Sequence, residues 1–245
     1  MARIGNYFLL GIALLSTIAC SDEILPKKPV STSINKILPL GASRVEGARP
    51  EFESYRYELW KDLVDNGWTF DYIGTQTDEA SYPIHNGKSF DPDHEGRGGW
   101  TSGDILDQIA KWLEYTGSPD IVLFSSPGGN DALQGLPYNQ TLSHINSIID
   151  VLQNANPNVT IIIEKLAPAH SSYMSGELSD YFYQLQQDVA FVAKNKTTAS
   201  SRVITADMCT GFTDQMLADD VHYNAAGAAF IADRYYEVLV TILEG

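Results

Sequence analysis

The feature that most limits how this chain can fold is an apolar run that stops at a glycine, with a serine two residues on. It reads Ile37-Leu38-Pro39-Leu40-Gly41-Ala42-Ser43-Arg44-Val45-Glu46-Gly47. A strand that breaks at a glycine and re-enters as a helix leaves the intervening side chain on the carboxyl edge of a sheet, where open α/β folds gather their chemistry. The pattern predicts a strand at 36–40 with Ser43 at its exposed end.

The rest of the chain repeats the alternation. A helix is expected at 52–66, where Tyr55, Leu59, Leu63 and Trp60, Val64 recur three to four apart and Asn66-Gly67 supplies the stop. A strand follows at 69–73. Residues 75–100 read as a long polar loop, and such a loop in a compact domain is usually functional. A helix at 102–115 carries Ile105, Ile109 and Trp112 on one face, with Ser102 as its cap. Ile121–Phe124 is a continuous apolar run of the kind buried on both faces of a parallel sheet. Further elements are expected as helix 141–154, strand 159–163, a second long loop through Pro168 and His170, helix 179–195, strand 203–206 and helix 225–243. Strands alternating with helices predict a three-layer α/β/α sandwich around a central parallel sheet, in one domain.

A serine hydroxyl is a poor nucleophile until a base takes its proton. The candidate base is His222 in Asp219-Asp220-Val221-His222, with Asp219 and Asp220 as rival carboxylates. Two further blocks lie between: Gly99 in His94-Glu95-Gly96-Arg97-Gly98-Gly99-Trp100, and Asn130 in Gly128-Gly129-Asn130-Asp131. Each block follows an inferred strand or lies in a loop leading to a helix, so the topology should gather them at one edge of the sheet.

Four blocks in the order Ser, Gly, Asn, Asp-x-x-His resemble the SGNH (GDSL-like) hydrolases. Their phrasing is most similar to the branch containing the family 3 carbohydrate esterases, and the resemblance spans residues 36–245. It implies a flavodoxin-like sandwich in which Ser43 is the nucleophile and His222 the base. Family spacing makes Asp219, rather than Asp220, the partner of His222. The implied oxyanion hole is the Ser43 N–H, the Gly99 N–H and the Asn130 amide, with no cofactor and no metal. The implied activity is ester hydrolysis, with an acetylated small-molecule or polysaccharide carbohydrate as substrate. A lipase-like enzyme or arylesterase of the same fold, or a catalytically weak glycan-binding lipoprotein, is the alternative. Ala42 stands where the family usually has an acidic residue, and Gly129 where it often has threonine. These departures predict a looser nucleophile turn and a more mobile Asn130 loop.

Asp91-Pro92-Asp93-His94-Glu95 has the residue types of a metal site, but five adjacent loop residues cannot all converge on one ion. Tyr82, Phe90, Trp100 and Tyr173 are candidate rim aromatics for stacking on sugar faces.

Residues 1–20 stand apart from the fold. Arg3 precedes a mostly apolar stretch at 7–18, too short for a comfortable membrane span, and Thr17-Ile18-Ala19-Cys20 resembles a bacterial lipobox. That resemblance implies cleavage before Cys20 and lipidation there. Residues 21–35 read as a tether, and Ser21-Asp22-Glu23 resembles a surface-export signal. The expectation is an exported lipoprotein of a bacterial envelope, at the outer membrane or cell surface, that meets membrane only through its lipid.

The formal charge is −15, and loss of the leader with its single Arg3 makes it −16. Phosphate binding needs clustered cations, so such a chain is not expected to bind nucleic acid, and a neutral substrate is the simpler expectation. After processing Cys209 is left without a second cysteine, so no internal disulfide is expected, and the thiol is expected to be buried.

Overall fold

The computed structural model describes residues 29–244. The expected leader, Cys20 and residues 21–28 of the expected tether lie outside the described residues.

The sheet contains β1 (Lys36–Gly41), β2 (Asp71–Tyr72), β3 (Gln76–Thr77), β4 (Asp93–Gly96), β5 (Ile121–Phe124), β6 (Thr160–Lys165) and β7 (Val203–Asp207). Their order is β3-β4-β1-β5-β6-β7, with β2 beside β1. All pairings are parallel except that of β3 with β4, so the sheet is mostly rather than wholly parallel. The helices are α1 (Ser43–Glu46), α2 (Arg56–Asp65), α3 (Ser102–Thr116), α4 (Gly129–Leu133), α5 (Tyr138–Ala155), α6 (Glu177–Lys196) and α7 (Ala225–Leu239).

Strand side chains alternate between two cores, as a period of two demands. Leu38, Leu40, Val122, Phe124, Ile161 and Ile163 pack with α3, α5 and α6 on one face. Ile37, Ile121, Leu123 and Ile162 pack with α2 and α7 on the other. Each fully buried Leu or Ile contributes roughly 1.5–3 kcal/mol, so the sheet edge is carried on a firm frame.

Pro39 sits in the central strand, where a missing N–H is normally costly. The carbonyls of Lys36 and Leu40 accept bonds from the β5 side, while those of Ile37 and Gly41 accept from the β2 and β4 side. Residue 39 therefore faces the second side, where β1 changes partner: Lys36 and Ile37 pair with β2, Leu40 and Gly41 with β4. The absent donor falls in the gap between the two.

Several elements differ from expectation. Residues 75–100 are not a structureless loop, because β3 and β4 lie within them. The second of these strands escapes an apolar search because it reads Asp93-His94-Glu95-Gly96, yet His94 and Glu95 are fully buried. The Glu95 carboxylate survives there by accepting bonds from Thr75 and from the Arg97 guanidinium at 2.9 Å. α2 begins at Arg56 rather than residue 52, because the preceding residues form the bridges Ala48↔Phe52 and Glu53↔Tyr223. The cap of α3 is Thr101, in a reciprocal box with Asp104, while Ser102 turns inward to Asp131. α5 starts earlier, at Tyr138 after Pro137, which fits a proline just outside a first turn. α7 stops at Leu239, and turns then bring the Glu244 N–H to Asn35. Cys209 is half-buried rather than buried, since it lies just past the end of β7.

Candidate active site

Ser43 opens α1 directly after β1. The Ala42 carbonyl accepts from Val45 and Glu46, both at 3.0 Å, which leaves the Ser43 N–H with no partner among the described residues. The first N–H groups of a helix have no acceptor within it, so Ser43 offers both a hydroxyl and a backbone donor at the sheet edge.

His222 arrives from a tight loop that Asp219 organises. Asp219 Oδ1 accepts the N–H groups of Val221 at 2.8 Å and His222 at 2.7 Å, and the Ala218 N–H closes the loop on the His222 carbonyl. This is the local turn chemistry for which a short carboxylate side chain is suited. Asp219 Oδ2 then lies 2.7 Å from His222 Nδ1, and His222 Nε2 lies 2.9 Å from Ser43 Oγ. The ring of Phe52 stacks on the imidazole at 3.9 Å. Asp220 takes no part in this line; its carbonyl accepts the His170 N–H. Partial desolvation works to raise the Asp219 carboxyl. The two backbone N–H bonds and the imidazole outweigh it and hold the group below the ordinary carboxylate range.

Gly99 lies in the turn from Arg97 to Trp100, which is fastened at three points. Glu46 Oε2 accepts the Gly98 N–H at 2.6 Å, the Gly99 carbonyl accepts from Gln134 at 3.2 Å, and the Trp100 carbonyl accepts from Asn130 Nδ2 at 2.8 Å. The Gly99 N–H itself has no partner among the described residues. Glycine is required by the backbone, whose φ is +77°. Asn130 spends one amide hydrogen on Trp100 and retains the other. Ser43, Gly99, Asn130 and His222 all line one cleft of about 480 Å³.

The two departures from the family pattern have structural answers. Asn130 does not ride on a mobile loop, because the Gly129 block forms α4 and its Asp131 is buried. Asp131 accepts the Ser102 N–H at 2.8 Å, the Ser102 hydroxyl at 2.5 Å and the Thr141 hydroxyl at 3.0 Å. The nucleophile turn, lacking an acidic side chain at Ala42, is braced by the buried Arg44. Its guanidinium donates to the carbonyls of Val221 at 2.8 Å, Ala167 at 2.8 Å and Pro168 at 3.1 Å, and lies over the Tyr223 ring. Charge-assisted bonds of this kind are stronger than neutral ones, and these join the Ser43 turn to the loop that carries His222.

Beneath Arg44, Glu164 is fully buried and accepts from Ser125 Oγ, the Ser126 N–H and the Tyr235 hydroxyl. Burial pushes its carboxyl up, against those donors and the positive charge of Arg44. Arg44, Glu46 and Gln134 gave no signal as a sequence, because isolated polar residues read as solvated surface.

The other candidate residues are employed elsewhere. Asp91 accepts the Tyr72 N–H at 2.8 Å, and burial pushes its carboxyl up to about 6. No group of three or more His, Cys, Asp or Glu side chains is placed to hold a metal ion among the described residues. Phe90 packs in an aromatic cluster with Tyr57 and Trp60, Trp100 packs on Trp112, and Tyr173 is exposed. Of the four, Tyr82 lines the cavity beside the catalytic cleft, and Trp100 lines a small one between β1, α3 and α4.

An α/β sandwich whose sheet edge carries this line of groups is a hydrolase of ester bonds, and comparison with known proteins agrees. The chain belongs to the GDSL-like lipase/acylhydrolase family, whose model matches residues 41–230. Among solved structures, a family 3 carbohydrate esterase from Talaromyces cellulolyticus is 30% identical with a TM-score of 0.74, over 85% of this chain and 98% of that one. An acetyl esterase mutant solved with an acetate ion gives the same figures. A family 3 carbohydrate esterase of Clostridium thermocellum is 27% identical with a TM-score of 0.68, over 85% and 96% of the two chains. No curated protein matches.

Proposed function

We propose that Ser43, His222 and Asp219 form the catalytic triad of an esterase that removes acetyl groups from a carbohydrate. The observation that carries this reading is the continuous line from Asp219 Oδ2 to His222 at 2.7 Å and from His222 to Ser43 Oγ at 2.9 Å. Ser43 Oγ attacks the ester carbonyl carbon as His222 Nε2 takes its proton, and Asp219 stabilises the imidazolium. The negative charge that develops on the carbonyl oxygen is met by the Ser43 N–H, the Gly99 N–H and the second hydrogen of Asn130 Nδ2. His222 then returns the proton to the leaving alcohol, and a water molecule activated by the same histidine releases the acid.

The acyl assignment is supported by a cavity of about 30 Å³ bordered by Ser43, Asn130, Leu133, Leu166 and Phe182. A space of that size holds about two water-sized groups, which suits an acetyl and turns away a long chain. The carbohydrate assignment rests on the relatives described as family 3 carbohydrate esterases. The substrate is a neutral one, in keeping with the acidic chain. Hydrolysis of p-nitrophenyl acetate, butyrate and octanoate, together with acetylated xylan, tests both. Acetate and xylan are expected to be the best substrates, and a preference for octanoate would indicate a lipase.

Export as a lipoprotein anchored through Cys20 belongs to the same proposal and is supported by the lipobox pattern alone. Metabolic labelling with a fatty-acid analogue is expected to mark the chain and to fail in Cys20→Ala; equal labelling of both would refute the anchor.

A further inference from the structure

A second cavity, of about 420 Å³, borders the catalytic cleft along Glu46, Gly47 and Ala48, which line both. Each is within the size range of small-molecule sites. Glu46 lies three residues along α1 from Ser43, a distance of roughly one helical turn. A molecule held at Ser43 thus has space beside it for one more unit of comparable size.

The walls say what that unit is. Apart from Glu46, they include Arg49, Thr77, Asp78, Glu79 and the ring of Tyr82. No Leu, Ile, Val or Met lines the cavity, so an acyl chain would gain little by entering. Glu79, the second oxygen of Glu46 and the Thr77 hydroxyl accept hydrogen bonds, which is what a ring bearing several hydroxyls requires, while the Asp78 carboxylate is taken up by Arg56, the Tyr82 hydroxyl and the Ala80 N–H. Arg49 is the one Arg or Lys of the lining: its Nε lies 3.1 Å from Glu53 and its guanidinium lies over the rings of Tyr57 and Tyr82, while its Nη1 is buried away from solvent with no hydrogen-bond partner among the described residues. The charge of Arg49 is offset by Glu53 and that of Asp78 by Arg56, so an anionic group entering would meet the carboxylates of Glu46 and Glu79, which have no ion-pair partner among the described residues.

We infer that this cavity is a subsite for a second, uncharged sugar ring, adjoining the ring whose ester is cut, and that it discriminates against a ring carrying a carboxylate. The inference rests on the ester-hydrolase reading of Ser43. It adds where the alcohol part of the substrate extends and which neighbouring ring is accepted.

Two exposed residues of the cavity test it. Thr77→Trp fills the space, and Glu79→Lys exchanges an exposed carboxylate for a cation. In the wild type, kcat/KM for acetylated xylotriose is expected to exceed that for acetylated xylose at least tenfold. It is also expected to fall at least tenfold when the neighbouring ring bears a glucuronate. Thr77→Trp should cut the ratio of kcat/KM for acetylated xylotriose to that for p-nitrophenyl acetate by about tenfold, through KM. Glu79→Lys should shrink the discrimination against glucuronate several-fold. Equal kcat/KM for acetylated xylose and xylotriose, or an unchanged ratio in a Thr77→Trp protein of wild-type Tm, would overturn the subsite. Calorimetric titration of Ser43→Ala with unacetylated xylotriose separates this from the catalytic reading. Loss of binding on adding Thr77→Trp supports the subsite even if the wild type hydrolyses no ester, and the same affinity in both proteins refutes it.

Discussion

On one side of Ser43 the molecule narrows to a cavity of about 30 Å³, walled by Leu133, Leu166 and Phe182. On the other it opens into a cleft of about 480 Å³ edged by Glu46, the Gly98-Gly99 turn and Phe52. The narrow side is built from α4, α6 and the residue after β6, and Leu166 and Phe182 belong to the apolar core. The open side is built from short segments held by side-chain bonds to backbone groups. A wall that is part of the core cannot yield without loss of packing, whereas a wall of loops varies without disturbing the sandwich. On the proposed reading the acyl group is the strictly chosen half of the ester, and the alcohol the half chosen by reach and hydrogen bonding.

The sharpest division between the two sides runs through His222, which serves both. His222→Ala is expected to lower kcat by about a millionfold for every ester, with acetyl selectivity lost in the residual rate. A variant that kept its activity on aryl esters while losing it on sugar esters would show that the imidazole belongs to the alcohol side alone. Glu46 belongs to the open side and acts through Gly98. Glu46→Ala should lower kcat by about 10- to 100-fold with little change in KM, less than outright removal of an oxyanion donor. Glu46→Gln, whose amide oxygen still accepts the Gly98 N–H, should recover most of it. On the narrow side, Phe182→Ala is expected to raise the butyrate-to-acetate ratio of kcat/KM by about tenfold, in line with what a few methylenes are worth in an apolar pocket. An unchanged ratio would move the acyl group elsewhere.

The smallest effect concerns ionisation beneath the polar side. Asp91 holds its proton up to about pH 6 in the folded chain, against 3.8 for the ordinary carboxyl, because burial disfavours its charge. The folded state thus binds the extra proton between those values. Its contribution to stability is present below about pH 4 and lost as pH rises through 6, by no more than about 3 kcal/mol. Asp91→Asn should remove that part of the pH dependence, so that Tm changes less between pH 5 and pH 7 than in the wild type. A larger change in the variant would contradict the assignment.

The same contrast decides what was legible in the sequence. β1, β5 and β6 are apolar and buried on both faces, so they stood out, and the glycine that ends β1 marked Ser43. Asp219 and His222 stood out through their spacing. β4 did not, because the partners of its buried Glu95, Thr75 and Arg97, lie distant in the chain or flank it, which no local pattern encodes. Arg44 was visible only as a residue following the serine. Its acceptors at Ala167, Pro168 and Val221 come together only after β6 and α7 have folded against the sheet. Ala42 suggested a loose turn because the brace had moved one side of the serine to the other. The second cavity was legible only through Tyr82, since its walls come from the α1 end, β3, β4 and the segment after β3.

The central claim is that one hydroxyl, on Ser43, carries the acyl group. Reaction of the folded wild type with a fluorophosphonate, followed by mass spectrometry of its peptides, tests this most directly. The account predicts one adduct per chain, on the peptide containing Ser43, and none in Ser43→Ala, which should also cease to hydrolyse p-nitrophenyl acetate. A folded wild type that takes up no label while it hydrolyses esters, or a Ser43→Ala variant that is labelled and active, would contradict it.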